Sequence, residues 1–459
     1  MLGNIGLLLG LIALIVMALR GVNILIAALA ASLIVAVSNQ IGVAEALLQH
    51  FPFGPLGAFS FAGQFFILFL TGAIFGKMMA TSGAAASIAN AVIAWLGASR
   101  SILVTVLVCA LLTYGGVVVF VVIFTMYPLG IALMREADLP KRLFCGAVAL
   151  GAGTFTMTAL PGTPSIHNVI AASALGTDLF AGFTLGLFGA VVMLTLGLLY
   201  LEAQWRSARA RGESYKANQQ DAAMEQLAPE MRHAPGWKLA MVPLVVVLGT
   251  IILPRLVVSL RLVDADTALI GPLFAFALAQ PIVWPSFALL LGALSCVVLF
   301  SALRDKVMEA MGSGANDSIM PLLNTAAVIG FGGVVTQTSG FGAFAQVVMG
   351  LDLPPLLSVA ASVSVVSGIV GSASGGLQIF MQTFAEAYLA MDMAPETLHR
   401  VATIASGGLD SLPHSGAVIA MLTIMGLKHR DAYRDIFVVT VIIPVVATLA
   451  VIGLAAVLV

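Results

Sequence analysis

GLDSLPHSGAV, residues 408–418, interrupts a long apolar run with an acid, a proline, an imidazole and two serines. Pro413 falls where a helix would otherwise continue, and a proline there removes one backbone hydrogen bond and clashes with the preceding turn. A second stretch, TALPGTPSIHN (158–168), has the same character, with Gly162 between Pro161 and Pro164. Each reads as a broken helix: a half-helix, an unwound loop and a second half-helix. Unwound backbone is tolerated at membrane depth only where it is buried in protein or lines a cavity. The fold therefore turns on whether the surrounding runs cross a membrane.

Composition says that they do. The 459 residues are 60% hydrophobic and 9% charged, where a soluble domain carries roughly 25% charge, and mean hydropathy is +1.09. The expected fold class is an all-α polytopic membrane protein. Spans are expected near 2–19, 22–38, 57–77, 101–134, 143–177 and 179–200, then near 239–258, 284–303, 318–338, 342–390, 398–427 and 435–457. Segment 84–98 reads as short and interfacial, and 267–280 as half-embedded. The first run, MLGNIGLLLGLIALIVMAL, lacks a basic leader and passes directly into a second span, so it reads as a span and not as a signal peptide. A formal charge of −1 says nothing about nucleic acid, and no basic tract suggests it. Cys109, Cys145 and Cys296 all sit in apolar runs and read as small packing residues, not as metal ligands or disulfides.

One long polar stretch, 201–238, divides the chain nearly in half, and the halves repeat. GKMMATSGAAA (76–86) answers GVVTQTSGFGA (333–343), and TYGG (113–116) answers ASGG (373–376). ADLPKRL (137–143) answers DMAPETL (392–398), and ALPGTPS (159–165) answers SLPHSGA (411–417). Such repeats are a signature of transporters. Positive charge favours the cytoplasmic side, and placing Arg20, Lys77, Arg100, Arg135, Lys141, Arg142 and 201–238 there makes 101–134 a helical hairpin with its tip at Gly115-Gly116. Its mate, tipped at Ser374-Gly375-Gly376, then enters from the opposite face. The expectation is two inverted repeats, each of about five crossings and one re-entrant hairpin. Arg255 and Arg261 fall outside in this scheme and fit it poorly.

Two broken loops and two hairpin tips bring four helix ends toward the midplane. Phe144 to Gln204 holds no Lys or Arg, nor does the segment between Lys306 and Arg400. Helix N-termini can bind an anion without a cationic side chain. The candidate binding residues are Gly115, Gly116, Gly162, Thr163, Ser165, His167, Asn168, Ser374, Gly375, Gly376, Ser411, His414 and Ser415. Each hydroxyl could instead bond back to its own helix. Asp410 with His414 is the candidate proton carrier, because an intramembrane acid is functional by default and histidine titrates near neutrality. The alternative is that Asp410 caps the second half-helix. His50, His233, His399 and His429 fall in or near loops and are expected to be solvated.

Three stretches resemble the gluconate:proton symporter family of bacterial permeases, within the ion transporter superfamily. They are GAIFGKMMATSGAAASIA (72–89), GAGTFTMTALPGTPSIHNVIAAS (151–173) and ASGGLDSLPHSGAVIAMLTIMGLKHRDAYRDI (405–436). The resemblance implies a multi-pass protein of the bacterial cytoplasmic membrane that imports a small hydroxy acid or related carboxylate with protons. It also implies a homodimer in which a mobile domain carries the site past a fixed scaffold. On that reading 1–100 and 239–341 are scaffold, 101–200 and 342–459 form the transport domain, and 201–238 is a cytoplasmic linker.

No cofactor is expected beyond the coupling ion, H+ or alternatively Na+ held by carbonyl and hydroxyl oxygens. A membrane enzyme would need a nucleophile–base or metal constellation, and HExxH, CxxC and GxSxG are all missing from the sequence. A channel would ordinarily need an oligomeric pore.

Overall fold

The computed structural model describes residues 2–222, 235–260, 270–350 and 352–458, and the described secondary structure is entirely helical. Arg232, His233 and Arg261 lie outside the described residues.

The first half opens with α1 (Leu2–Leu19), α2 (Ile24–Ser38), α3 (Ala58–Thr81) and α4 (Ala84–Leu96). Then come α5 (Ser101–Tyr114), α6 (Val119–Ala137), α7 (Lys141–Gly153), α8 (Ile166–Leu175) and α9 (Phe183–Ala210). The second half comprises α10 (Trp237–Ser259), α11 (Ile270–Ala279), α12 (Val283–Leu299), α13 (Val307–Val335), α14 (Ser339–Gly350), α15 (Pro355–Val370) and α16 (Ala373–Thr383). It closes with α17 (Pro395–Ser406), α18 (Gly416–Ile424), α19 (His429–Phe437) and α20 (Ile443–Leu458), the last two joined by a π-helical turn over Val438–Ile442. Among the described residues six helical stretches are long and apolar enough to cross a membrane, and a seventh arises if α11 and α12, bent by 106°, form one span.

Both proline-bearing stretches are broken. α7 ends at Gly153, a single turn spans Phe155–Thr158, and the chain unwinds through Pro161 and Pro164 before Ser165 caps α8. In the second half α17 ends at Ser406 and α18 starts at Gly416, leaving 407–415 as loop. The first hairpin tip falls at Gly115-Gly116 as expected, but the second falls at Gly371, ahead of Ser374-Gly375-Gly376, which form the first turn of α16 because Ser372 caps that helix. Gly116 takes φ +94° between α5 and α6, and Gly371 takes φ +63° between α15 and α16, a region that costs glycine little.

A further expectation needs correction: the run 342–390 is not one span, because α14 precedes α15 and α16. Within 267–280 the described residues form the short α11, which turns sharply into α12. Arg255 forms an ion pair with Asp178.

α3 and α13 pack closely against each other. Gly314 on α13 lies so near α3 that a β-carbon there would stand 2.8 Å from Ile74 Cα. Small residues permit such approach where lipid offers no hydrophobic drive to pack helices.

The polar stretch after α9 is not a freely solvated linker. Asp221 is buried, accepting the Lys141 ammonium at 2.6 Å and the Tyr127 hydroxyl at 2.5 Å. Asn218 donates to the carbonyls of Met425 and Gly426, both at 3.0 Å. Arg142 holds Glu213 at 2.6 and 2.9 Å and Asp435 at 2.5 Å. Residues 213–221 therefore strap α6 and α7 to the end of α18 and the start of α19. The Arg142 hydrogen bonds keep the Glu213 carboxyl below its ordinary value. A carboxyl lowered by folding stabilises above the unfolded value, roughly 4.3, and loses that contribution as pH falls through the folded value. Glu213→Gln is therefore expected to lower the melting temperature in detergent at pH 7, with the difference from the unsubstituted protein shrinking as pH falls below about 4. A difference that does not change with pH would remove Glu213 from the acid response.

Candidate functional site

A cavity of about 1160 Å³ is walled by α3 and α13 on one side and by the broken loops and hairpin tips on the other. The two systems meet in matched pairs. In the first half, Gly116 faces Pro164, and the Tyr114 hydroxyl donates to the Pro161 carbonyl at 2.9 Å. In the second, the His414 ring lies against Gly371.

Of the residues picked out in the sequence, Gly116, Ser165, His167, Ser374, Asp410, Ser411, His414 and Ser415 line this cavity. Four buried polar atoms in the wall find no hydrogen-bond partner among the described residues: Thr113 Oγ1, His167 Nδ1, Asn324 Oδ1 and His414 Nε2. Buried polar atoms are bonded in the great majority of cases. Four such atoms around one cavity suit a polar ligand.

The serines divide by role. Ser165 Oγ donates to the Met157 carbonyl at 2.6 Å and accepts the Asn168 amide at 3.3 Å, capping α8. Ser374 Oγ pairs with Ser372 Oγ at 3.3 Å. Ser415 occupies the N-cap position of α18 and makes no capping bond.

Six candidates are outside the cavity wall, each for a packing reason. Gly115 abuts Leu244. Gly162 faces the Phe180 ring, and its amide donates to the Leu179 carbonyl at 2.8 Å. Thr163 is buried, its carbonyl accepting from the Asn168 side chain. The Asn168 amide is fully used, donating to Thr163 and Leu179 carbonyls and facing His399 through its oxygen. Gly375 gives its amide to the Ser372 cap, and Gly376 packs on the backbone of Ser367, where a β-carbon would collide.

Asp410 and His414 are not partners. The Asp410 carboxylate accepts the Ser411 hydroxyl at 3.1 Å, whereas His414 turns to the hairpin tip. The intervening proline breaks the helical register that would have brought them together. The Ser411 carbonyl in turn accepts the Tyr433 hydroxyl at 3.1 Å, and the Pro413 carbonyl takes His429 Nε2 at 2.8 Å.

His399 is not solvated. It is fully buried between Thr177 Oγ1 at 2.7 Å and Asn168 Oδ1 at 2.8 Å. Its neighbour Arg400, also fully buried, donates to the carbonyls of Ala159 at 3.1 Å, Ala181 at 2.7 and 3.0 Å, and Leu179 at 3.3 Å. The first half of one broken helix thus holds the loop of the other through Ala159, and the turn after α8 through Leu179 and Ala181. A lone basic residue inside the apolar run after Pro395 was the available sequence signal.

Broken helices, helical hairpins and a polar cavity at their meeting point belong to a multi-pass membrane transporter, not an enzyme. The chain belongs to the GntP family of permeases, whose pattern it matches over residues 3–458. It is 40% identical over 406 residues to the uncharacterized transporter YxjC of Bacillus subtilis strain 168, covering 83% of this chain and 84% of that one. Two solved structures share the fold at low identity. The YdaH transporter of Alcanivorax borkumensis superposes with a TM-score of 0.52 at 14% identity, over 86% of this chain and 88% of that chain. MtrF of Neisseria gonorrhoeae, described among antimetabolite efflux pumps, gives 0.54 at 12% identity, over 91% and 83%.

Proposed function

We propose that this permease is a proton-coupled symporter that imports a small organic acid anion, such as gluconate or another hydroxycarboxylate. The observation that carries the reading is the cavity wall. It sets two buried imidazoles, His167 and His414, and the open N-terminus of α18 around a space also lined by Asp410. Imidazole N–H groups and helix-end amides suit a carboxylate and hydroxyls. Asp410 is the proton carrier in this scheme: a lone acid facing a cavity is neutral when protonated and repels an anion when not.

Transport follows alternating access. The matched pairs Gly116–Pro164 and Gly371–His414 support two inverted repeats. The α3–α13 seam supports a scaffold formed by 1–100 and 239–341, past which 101–200 and 342–459 move as an elevator. The 201–238 stretch joins the halves on the cytoplasmic side, and a homodimer in the bacterial inner membrane is the working assembly.

The test is reconstitution in liposomes with an imposed pH gradient and no sodium. Labelled gluconate, lactate and 3-hydroxybutyrate are supplied separately. Saturable uptake abolished by a protonophore is expected for at least one acid. Uptake that requires sodium and ignores the pH gradient would replace the proton with sodium, and no uptake of any acid would sink the substrate class.

A further inference from the structure

We infer that Lys77 is the carboxylate-receiving cation of the cavity, with Asp317 as a resident counter-ion that the substrate carboxylate displaces. This deepens the proposed substrate class and rests on it.

Lys77 is the only Lys or Arg among the described residues that line the cavity. It projects from α3, and its ammonium stands 3.5 Å from Asp317 Oδ2 on α13. Both side chains are partly exposed to the cavity. A single long contact between partly solvated groups is weak, typically worth ~0–1 kcal/mol. Exchanging one carboxylate for another across it is close to neutral in energy, which is what a reversible site requires. Asp317 lies on a cavity-facing stripe of α13, and Asn324, two turns further along that stripe, carries one of the unpartnered buried oxygens. An amide oxygen there suits a substrate hydroxyl. The scaffold would thus present a cation and an acceptor along one face, opposite the His167 and His414 loops. A hydroxycarboxylate could engage both walls, and Asp317 would reclaim Lys77 when it leaves.

Exchange and a structural ion pair predict different signs. If the pair only held α3 to α13, removing either partner would do the same harm. If it is exchanged, Lys77→Gln loses the receiving charge, and Asp317→Asn loses the competitor. Initial uptake is measured with whichever of gluconate, lactate or 3-hydroxybutyrate the unsubstituted protein carries. Lys77→Gln is expected to raise KM at least about tenfold. Asp317→Asn is expected to lower KM and also the maximal rate, because release then lacks its counter-ion. Lys77→Arg is expected to keep KM within about threefold, since it keeps the charge. The inference is overturned if both neutral substitutions shift KM the same way, or if Lys77→Gln leaves KM unchanged. Should Lys77→Gln not yield folded protein by size-exclusion chromatography, Asp317→Asn decides: a lowered KM supports exchange, and an unchanged or raised KM overturns it. If the unsubstituted protein carries none of the three acids, the substrate class itself falls and this inference with it.

Discussion

Asp410→Asn is expected to reduce accumulation driven by a pH gradient to the level of protein-free liposomes, while substrate exchange with no gradient stays within about threefold of the unsubstituted rate. Asp410 faces the cavity, and its one side-chain hydrogen bond among the described residues is from Ser411. No described cation lies within ion-pair distance of it, and it makes no capping bond to α18. A carboxyl so placed is well suited to take and release a proton, whereas asparagine resembles the protonated acid and cannot release one. Net coupled transport needs that release; exchange does not. The paired assay separates the roles: equal loss of both activities would make Asp410 a structural or substrate-binding group, and survival of both would remove it from coupling.

The second large effect concerns Arg400. Arg400→Met is expected to destabilise the folded protein by about 3–5 kcal/mol, read as a marked drop in melting temperature in detergent. The guanidinium makes four hydrogen bonds to three carbonyls, those of Ala159, Leu179 and Ala181. Methionine fills much of the volume but leaves all three acceptors without that donor, and an unsatisfied buried group costs roughly 1–3 kcal/mol. Lysine should recover only part of the loss, because an ammonium cannot reproduce the planar fork of donors. An unchanged melting temperature would show that these carbonyls find other partners. Gly182 and Gly186 pack directly on the Arg400 side chain, so the site leaves little room for such rearrangement.

The broken helices and the first hairpin tip were legible because their causes are local. Pro161, Pro164 and Pro413 remove donors wherever they stand, and Gly116 permits a turn that other residues resist, whereas the second tip falls at Gly371, short of the Ser374-Gly375-Gly376 expected. What could not be read depends on partners far along the chain. Arg400 finds its acceptors more than 200 residues away, and His399 meets Asn168 across 231 positions. Asn168 looked like a ligand group because nothing nearby showed that its amide was spent. Asp221 sits in a hydrophilic stretch that reads as solvated, yet Lys141 and Tyr127 bury it. Asp410 and His414 erred in the other direction: closeness in sequence suggested a pair that the intervening proline separates. Lys77 looked like an ordinary orientation signal at a helix end, and only the packing of α3 on α13 turns it toward the cavity.

The Arg400 clasp also bears on how the chain matures during synthesis. When the ribosome has finished α8 and the turn after it, the carbonyls of Ala159, Leu179 and Ala181 are present, but the residue that holds them lies over two hundred codons downstream. Until then that loop is a half-built socket, and the amino-terminal half must wait in the bilayer with its site unclosed. The clasp between the two halves can therefore close only once α17 has been made.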